Sequence, residues 1–321
     1  MSNDLFSQGN SRRHFLKSSS LLGGLAFLAP AAKVFSNSEA SIDLVDSSGE
    51  LRFVHTTGVK GQNDPVWKAE FGGLNSISKS LIDEDFQGLK IDSGDFLNSE
   101  VSFSENLEFV QNLRNYGLHL AGLGKTELNL SESQLMELSK KASFSLVNTN
   151  YRFENTDLDQ AIKKHLIVNF GKYKMGVIAV SDELGSISKK VNNPIETALR
   201  ESQLLKYLYA CDLVVCIVNF ELKHGDENQI NKLAKKAEHI DFILDANPAQ
   251  TRPGLTLVKD QAGDEVFISR VLNFGKYIGD FSVRFTPKYA KCLVSNYSRI
   301  PAVKNPRLAA SLIHELSSQQ V

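Results

Sequence analysis

The sequence predicts an α/β domain built on mixed β-sheets, and three observations carry that expectation. After residue 50, short apolar β-branched runs alternate with amphipathic stretches of about a dozen residues. No long Pro-, Gly- or Ser-rich linker interrupts the chain beyond that point, and a length of 321 residues suits one large domain. From Leu255 onward, strand-like runs follow one another through turns such as Gln261-Ala262-Gly263-Asp264. This predicts antiparallel pairing late in the chain and parallel pairing before it.

Taken in order, the apolar runs at 51–56, 89–92, 118–122, 143–148, 166–169, 174–180 and 213–218 read as strands. Those at 242–245, 256–259, 266–272, 279–285 and 291–298 complete the set. Helices are expected at 66–83, 104–116, 131–140, 194–209, 227–238 and 306–317. Ser104 reads as a start signal for the second of these, Ser131 with Gln134 has capping-box spacing, and Pro194 suits a first helical position.

Composition narrows the function classes. With 42% hydrophobic and 23% charged residues, the chain is that of an ordinary globular protein able to bury a large core. Its 36 basic and 37 acidic side chains leave a formal charge of −1, so no global field draws in DNA, RNA or anionic lipid. Nucleic acid is not expected as a partner. Of three cysteines, Cys211 and Cys216 lie at the entry to and inside the apolar run 212–218, which reads as burial. A disulfide framework, zinc cluster or CxxC redox pair is not indicated.

The N-terminus carries a separate signal. Ser11-Arg12-Arg13-His14-Phe15-Leu16-Lys17 precedes a weakly apolar stretch at 21–32 and the small-residue region Ala29-Pro30-Ala31. This is the pattern of a twin-arginine export signal, and the stretch is too short to span a bilayer. We therefore expect 1–40 to be signal and linker, 41–321 to be one domain, and the protein to be periplasmic or otherwise exported. With no Cys at the end of the apolar stretch, membrane contact is expected only through an uncleaved signal.

A set of short segments then brings a resemblance. Phe53-Val54-His55-Thr56-Thr57-Gly58-Val59-Lys60 closes the first strand, Phe71-Gly72-Gly73-Leu74 follows, and Ile91-Asp92-Ser93-Gly94-Asp95 closes the next strand. Gly122-Leu123-Gly124-Lys125-Thr126-Glu127 and Val147-Asn148-Thr149-Asn150-Tyr151 come after it. Two further strand ends are the run from Cys211 to Asn219 and the run from Ile240 through Asn247 to Ala249. In this order the segments resemble the blocks of the 5′-nucleotidase branch of the calcineurin-like metallophosphoesterases, over about 51–285.

The resemblance implies a four-layer α/β/β/α sandwich of two mixed sheets. It also implies where the chemistry would sit, because in that family strand-tip side chains surround two divalent ions about 3.5–4 Å apart. Carried across, the ligand positions fall on Gly58, Lys60, Asp95, Lys125, Asn219, Asn247 and Ala249, with Thr126 at a catalytic histidine. Only Asp95 keeps its identity. Two such ions repel by on the order of 20 kcal/mol at an effective dielectric of about 20, so one carboxylate flanked by lysines is no home for them. No cofactor is expected, and a non-catalytic relative is the leading expectation. In it Lys60 or Lys125 takes the electrostatic place of the metals against Asp95.

The alternative is a phosphoric-ester hydrolase with a rebuilt site using Asp95, Glu127 and Thr126, with one weakly bound divalent metal or none. A retained cleft for a small anion or nucleotide, with Lys60, Lys125 and Arg252 as its cations, and a partner protein are further expectations. Because 286–321 is too short for the second domain that the resemblance implies for full-length 5′-nucleotidases, a separately encoded partner domain is a further expectation. His55 is expected to be a packed histidine, His119 core or edge, and Trp67 a packing anchor. The lysine pairs at 140–141, 163–164, 189–190 and 235–236 are expected to be solvated.

Overall fold

The computed structural model describes residues 41–44, 50–66, 71–182, 190–221, 229–246, 253–285, 292–299, 307, 311–312 and 314; for 292–299 it describes the backbone alone. The segment expected to be the export signal, Trp67 and Arg252 lie outside the described residues. In chain order come β1 (Ser41–Leu44), β2 (Glu50–Thr56), α1 (Gly73–Asp83), β3 (Leu89–Asp92), α2 (Phe103–Tyr116), β4 (Leu120–Gly122), α3 (Lys125–Leu128), α4 (Glu132–Lys141) and β5 (Ser145–Val147). Next are β6 (Tyr151–Arg152), α5 (Thr156–Ala161), β7 (Leu166–Phe170), β8 (Tyr173–Ser181), β9 (Lys190–Val191), α6 (Pro194–Tyr207), β10 (Leu213–Asn219) and α7 (Gln229–Lys236). The chain continues through β11 (Phe242–Asp245), β12 (Gly254–Lys259), β13 (Glu265–Arg270), a 3₁₀ turn at Asn273–Gly275, β14 (Ile278–Arg284) and β15 (Cys292–Arg299).

Among the described residues the strands form a seven-stranded sheet, β1-β7-β8-β10-β11-β13-β12, a six-stranded sheet, β15-β14-β2-β3-β4-β5, and the small β6-β9 pair. Pairing is parallel through β2, β3, β4 and β5 and through β8, β10, β11 and β13. The late pairs β12–β13, β14–β15 and β14–β2 are antiparallel, as the sequence predicts.

Period-two alternation builds the layers. On β2, Leu51 and Phe53 face the other sheet, while Val54 faces the helices; on β10, Leu213, Val215 and Ile217 face inward against Val214, Cys216 and Val218 outward. The central layer joins the sheets through Phe53, Phe242 and Phe281, with Phe53 and Phe242 edge to face at 5.3 Å. Helices α1, α2 and α4 cover the six-stranded sheet, and α6 and α7 cover the seven-stranded one. The result is the four-layer α/β/β/α sandwich. Cys211 and Cys216 are buried free thiols.

Some expectations are corrected. The helix expected from 66 begins only at Gly73, because Phe71 forms a bridge and Gly72 and Gly73 take φ of 79° and 72°. A Cβ at Gly73 would meet the Asp64 carbonyl closer than any real Cβ does, so the chain packs tightly at this entry. The cap of α2 is Ser102, not Ser104; its hydroxyl accepts from the Glu105 N–H while the Glu105 carboxylate accepts from the Ser102 N–H. Lys164 is not solvated: it donates to Asp159 at 2.7 Å and to the Tyr151 carbonyl at 2.8 Å. The short elements β1, β6, β9, α3 and α5 were not expected. Of the helix expected at 306–317, Arg307, Ser311, Leu312 and His314 are described, and all are helical.

Candidate functional site

Parallel pairing brings the C-terminal ends of β2, β3, β4, β8, β10 and β11 to one edge of the sandwich, where open α/β sheets place their ligands. The chain turns sharply there, at Gly58 (φ 52°), Lys60 (φ 52°), Gly94 (φ 115°) and Asp95 (φ 56°). Glycine adopts such values freely, and Asp tolerates the left-handed region better than most residues.

Asp92, at the tip of β3, is buried and accepts from the Thr56 hydroxyl at 2.6 Å and the Gly94 N–H at 2.8 Å. Loss of water pushes its carboxyl up to about 6 against the pull of those donors, and the nearby Asp95 charge adds to the rise. Asp95 is half-buried, and its Oδ1 accepts from the Thr126 N–H at 2.8 Å. Gly124 lies so close that a Cβ there would come within 2.7 Å of that oxygen.

Glu127 is fully buried and accepts from three backbone donors: the Asp95 N–H at 2.9 Å, the Gly124 N–H at 2.9 Å and the Leu97 N–H at 3.0 Å. It therefore ties the loop after β3 to the loop after β4. Desolvation pushes its carboxyl up to about 8, followed in size by repulsion from Asp95.

The lysines do not meet Asp95. The Lys125 ammonium pairs with Glu221, just past the tip of β10, and this partner holds its pKa above the ordinary value. Lys60 lies over the Phe274 ring, with Nζ 5.4 Å from its centre. The expected lysine–Asp95 ion pair is thus replaced by a Lys125–Glu221 bridge. The Lys125 and Glu221 side chains are 59% and 43% exposed, so the bridge forms at the surface, where an ammonium stays partly hydrated.

At the remaining positions the sheets are joined by direct hydrogen bonds. The Asn219 amide donates to the Ser93 carbonyl at 2.8 Å, the Ser181 hydroxyl to the Leu123 carbonyl at 2.8 Å, and the Asn148 amide to the Ser181 hydroxyl at 3.2 Å. Asn273 packs against Gly58, where any side chain would stand, and its buried Oδ1 has no hydrogen-bond partner. Asn247 and Ala249 lie outside the described residues.

These residues do not fit a dinuclear metal centre. Of the described positions that the resemblance makes ligands, Gly58 offers no donor, Asn219 turns its N–H₂ toward a carbonyl, and Asp95 is the one carboxylate. Among the described residues, no three His, Cys, Asp or Glu side chains converge on a point that could hold an ion.

His55 is fully buried, shares a 2.7 Å hydrogen bond with the Ser269 hydroxyl and stacks on Phe281. Burial depresses it to about 3, so it is a packed, neutral histidine as expected. His119 is half-buried, and its Nδ1 accepts from the Lys90 N–H at 3.0 Å. Sequence reasoning missed Glu221, Ser181 and Asn273. Their one local signal is position just beyond or at a strand end.

No family model matches the sequence. Over 281 residues the chain is 24% identical to a snake venom 5′-nucleotidase of Gloydius brevicauda, covering 78% of this chain and 47% of that protein. Among solved structures, a 5′-nucleotidase precursor from Thermus thermophilus superposes with a TM-score of 0.65 at 19% identity, covering 84% of this chain and 58% of that one. A calcineurin-like phosphoesterase from Bacillus subtilis gives 0.58 at 17% identity, covering 84% of this chain and 97% of that one. The fold is therefore that of the calcineurin-like phosphoesterases. Within that class the chain resembles the 5′-nucleotidases, and it spans about half the length of the curated relative it matches.

Proposed function

We propose that this protein is a non-catalytic relative of the 5′-nucleotidases, exported folded by the twin-arginine route, whose cleft serves binding rather than hydrolysis. The observation that carries the reading is the Asn219–Ser93 hydrogen bond at 2.8 Å. At that strand tip the resemblance puts a histidine ligand, and here a neutral amide clamps the two sheets together directly. Gly58, Lys60 and Lys125 support the same reading, since none supplies an anionic or imidazole ligand.

The hydrolase alternative is weaker because its would-be acid or base, Glu127, has both oxygens occupied by backbone donors and no exposure to the cleft. A small anion suits the cleft better: among the described residues, Lys60 has no ion-pair partner.

The test measures metal content and turnover on protein purified from its own compartment. We expect no stoichiometric transition metal and no hydrolysis of AMP or an aryl phosphate above blank, with or without Mn²⁺. Two ions per chain, or a turnover abolished by Asp95→Asn, overturns the reading. Export is tested separately: replacing Arg12 and Arg13 by Lys should leave a fused reporter in the cytoplasm, and a reporter still exported refutes the route. No described helix is long and apolar enough to cross a membrane.

A further inference from the structure

Away from the strand tips, a groove of about 320 Å³ opens where α1 and α2 meet. That volume lies at the lower end for small-molecule sites. The polar side chains lining it are Asn63, Asn75, Ser78, Asn112 and Asn115, over an apolar floor of Leu74 and Tyr116. None of the seven is charged.

The pattern departs from what a solvated helix face needs. Asn75 with Ser78, and Asn112 with Asn115, stand three residues apart on their helices, so each helix presents a pair of short neutral side chains to the same groove. Asparagine is a poor helix former, and the neighbouring exposed positions of α2 carry Glu105, Glu108, Gln111 and Arg114 instead. Charge is placed around the groove and kept out of it.

The amides are also available. Asn75 spends one donor on Asp64 at 3.2 Å, and its backbone N–H donates to the Asn63 carbonyl at 2.9 Å, which fixes the two residues relative to each other. Among the described residues, the side chains of Asn63, Ser78, Asn112 and Asn115 make no hydrogen bond to the protein.

We propose that this groove binds a neutral polyhydroxylated ligand, a carbohydrate. Each carboxamide offers two donors and an acceptor, which complements hydroxyl groups that both donate and accept. An uncharged lining supplies no cation to offset a phosphate or carboxylate, so a nucleotide is the poorer class for this site. A free oligosaccharide and a surface-bound polysaccharide share this chemistry, and the test separates them.

Full-length protein labelled with ¹⁵N is titrated with cellotriose, maltotriose and chitotriose, following the side-chain amide signals, and is pelleted with insoluble cellulose and chitin. Binding of a soluble trisaccharide, with shifts at the Asn112 and Asn115 amides, is expected for a free ligand. Retention on a polysaccharide, released by the matching trisaccharide, is expected for a surface one. In either case the exposed double variant Asn112→Ala/Asn115→Ala should weaken binding at least tenfold without lowering the denaturant midpoint, since alanine is the better helix former. The proposal is overturned by no response to any of these sugars at millimolar concentration. It is equally overturned by unchanged affinity in the double variant, or by AMP or inorganic phosphate shifting the same amides where the sugars do not.

Discussion

Restoring the carboxylate that the resemblance puts beyond the tip of β2, by Gly58→Asp, is expected to cost stability and not to build a metal site. Gly58 sits at φ 52°, where a side-chain-bearing residue costs about 1 kcal/mol, Asp being near the low end. Its new Cβ would approach Asn273 Oδ1 closer than the 3.0 Å that real Cβ atoms keep. The two segments cannot simply part, because the Phe274 N–H donates to the Gly58 carbonyl at 2.8 Å. Overpacking of this kind costs about 1–3 kcal/mol, for a total of about 2–4 kcal/mol. Against the ~5–15 kcal/mol that holds a typical domain folded, that is a large loss.

Guanidinium unfolding of the single and double variants, with and without Mn²⁺, measures it. Asn273→Ala alone removes a buried acceptor that has no partner and should be close to neutral. Combined with Gly58→Asp it should recover the overpacking part, a coupling of about 1–3 kcal/mol. If Gly58→Asp unfolds at the wild-type midpoint, the packing argument fails. A midpoint raised by Mn²⁺ would refute the reading of the cleft as unfit for metal.

Two predictions concern pH and one a helix cap. His55 is depressed to about 3 in the folded state from an ordinary 6.5, so stability should fall as pH drops through that window while the unfolded chain takes up the proton. At about 1.4 kcal/mol per pH unit the loss reaches on the order of 5 kcal/mol, and an imidazole NMR titration centred near 6.5 would contradict it. Glu127 behaves in the opposite sense: raised to about 8 from 4.5, the folded form holds its proton longer than the unfolded chain, so this group erodes stability as pH climbs between those values. Glu127→Gln should flatten that decline in a series of urea melts, and an unchanged slope would count against the assignment. Ser102→Ala should lower stability by about 1 kcal/mol through loss of the capping box of α2, whereas Ser104→Ala should stay within about 0.5 kcal/mol.

Much of the scaffold was legible because its causes are local. The short apolar, β-branched runs at 51–56 and 213–218 marked strands, Ser131 with Gln134 and Pro194 marked helix starts, and strand-after-strand spacing beyond Leu255 marked the antiparallel end. Element ends were less legible. The helix expected from 66 begins only at Gly73, because Gly72 and Gly73 take positive φ at an entry packed against Asp64 too closely for a Cβ. Elements as short as β6 and β9 carry too few residues for a periodic signal.

The sequence by itself determined which residue types stand where the resemblance puts strand-tip ligands, since Gly58, Lys60, Lys125 and Asn219 can be read without coordinates. What those residues touch was decided only by tertiary structure. Asn219 reaches Ser93 across 126 residues of chain, Lys125 reaches Glu221 across 96, and Asn273 fills the space beside Gly58 from a turn that follows a different strand. Hydrogen bonds and ion pairs act over about 3 Å, so partners that far apart in sequence are set by how two sheets stack, which no stretch of either sheet specifies alone.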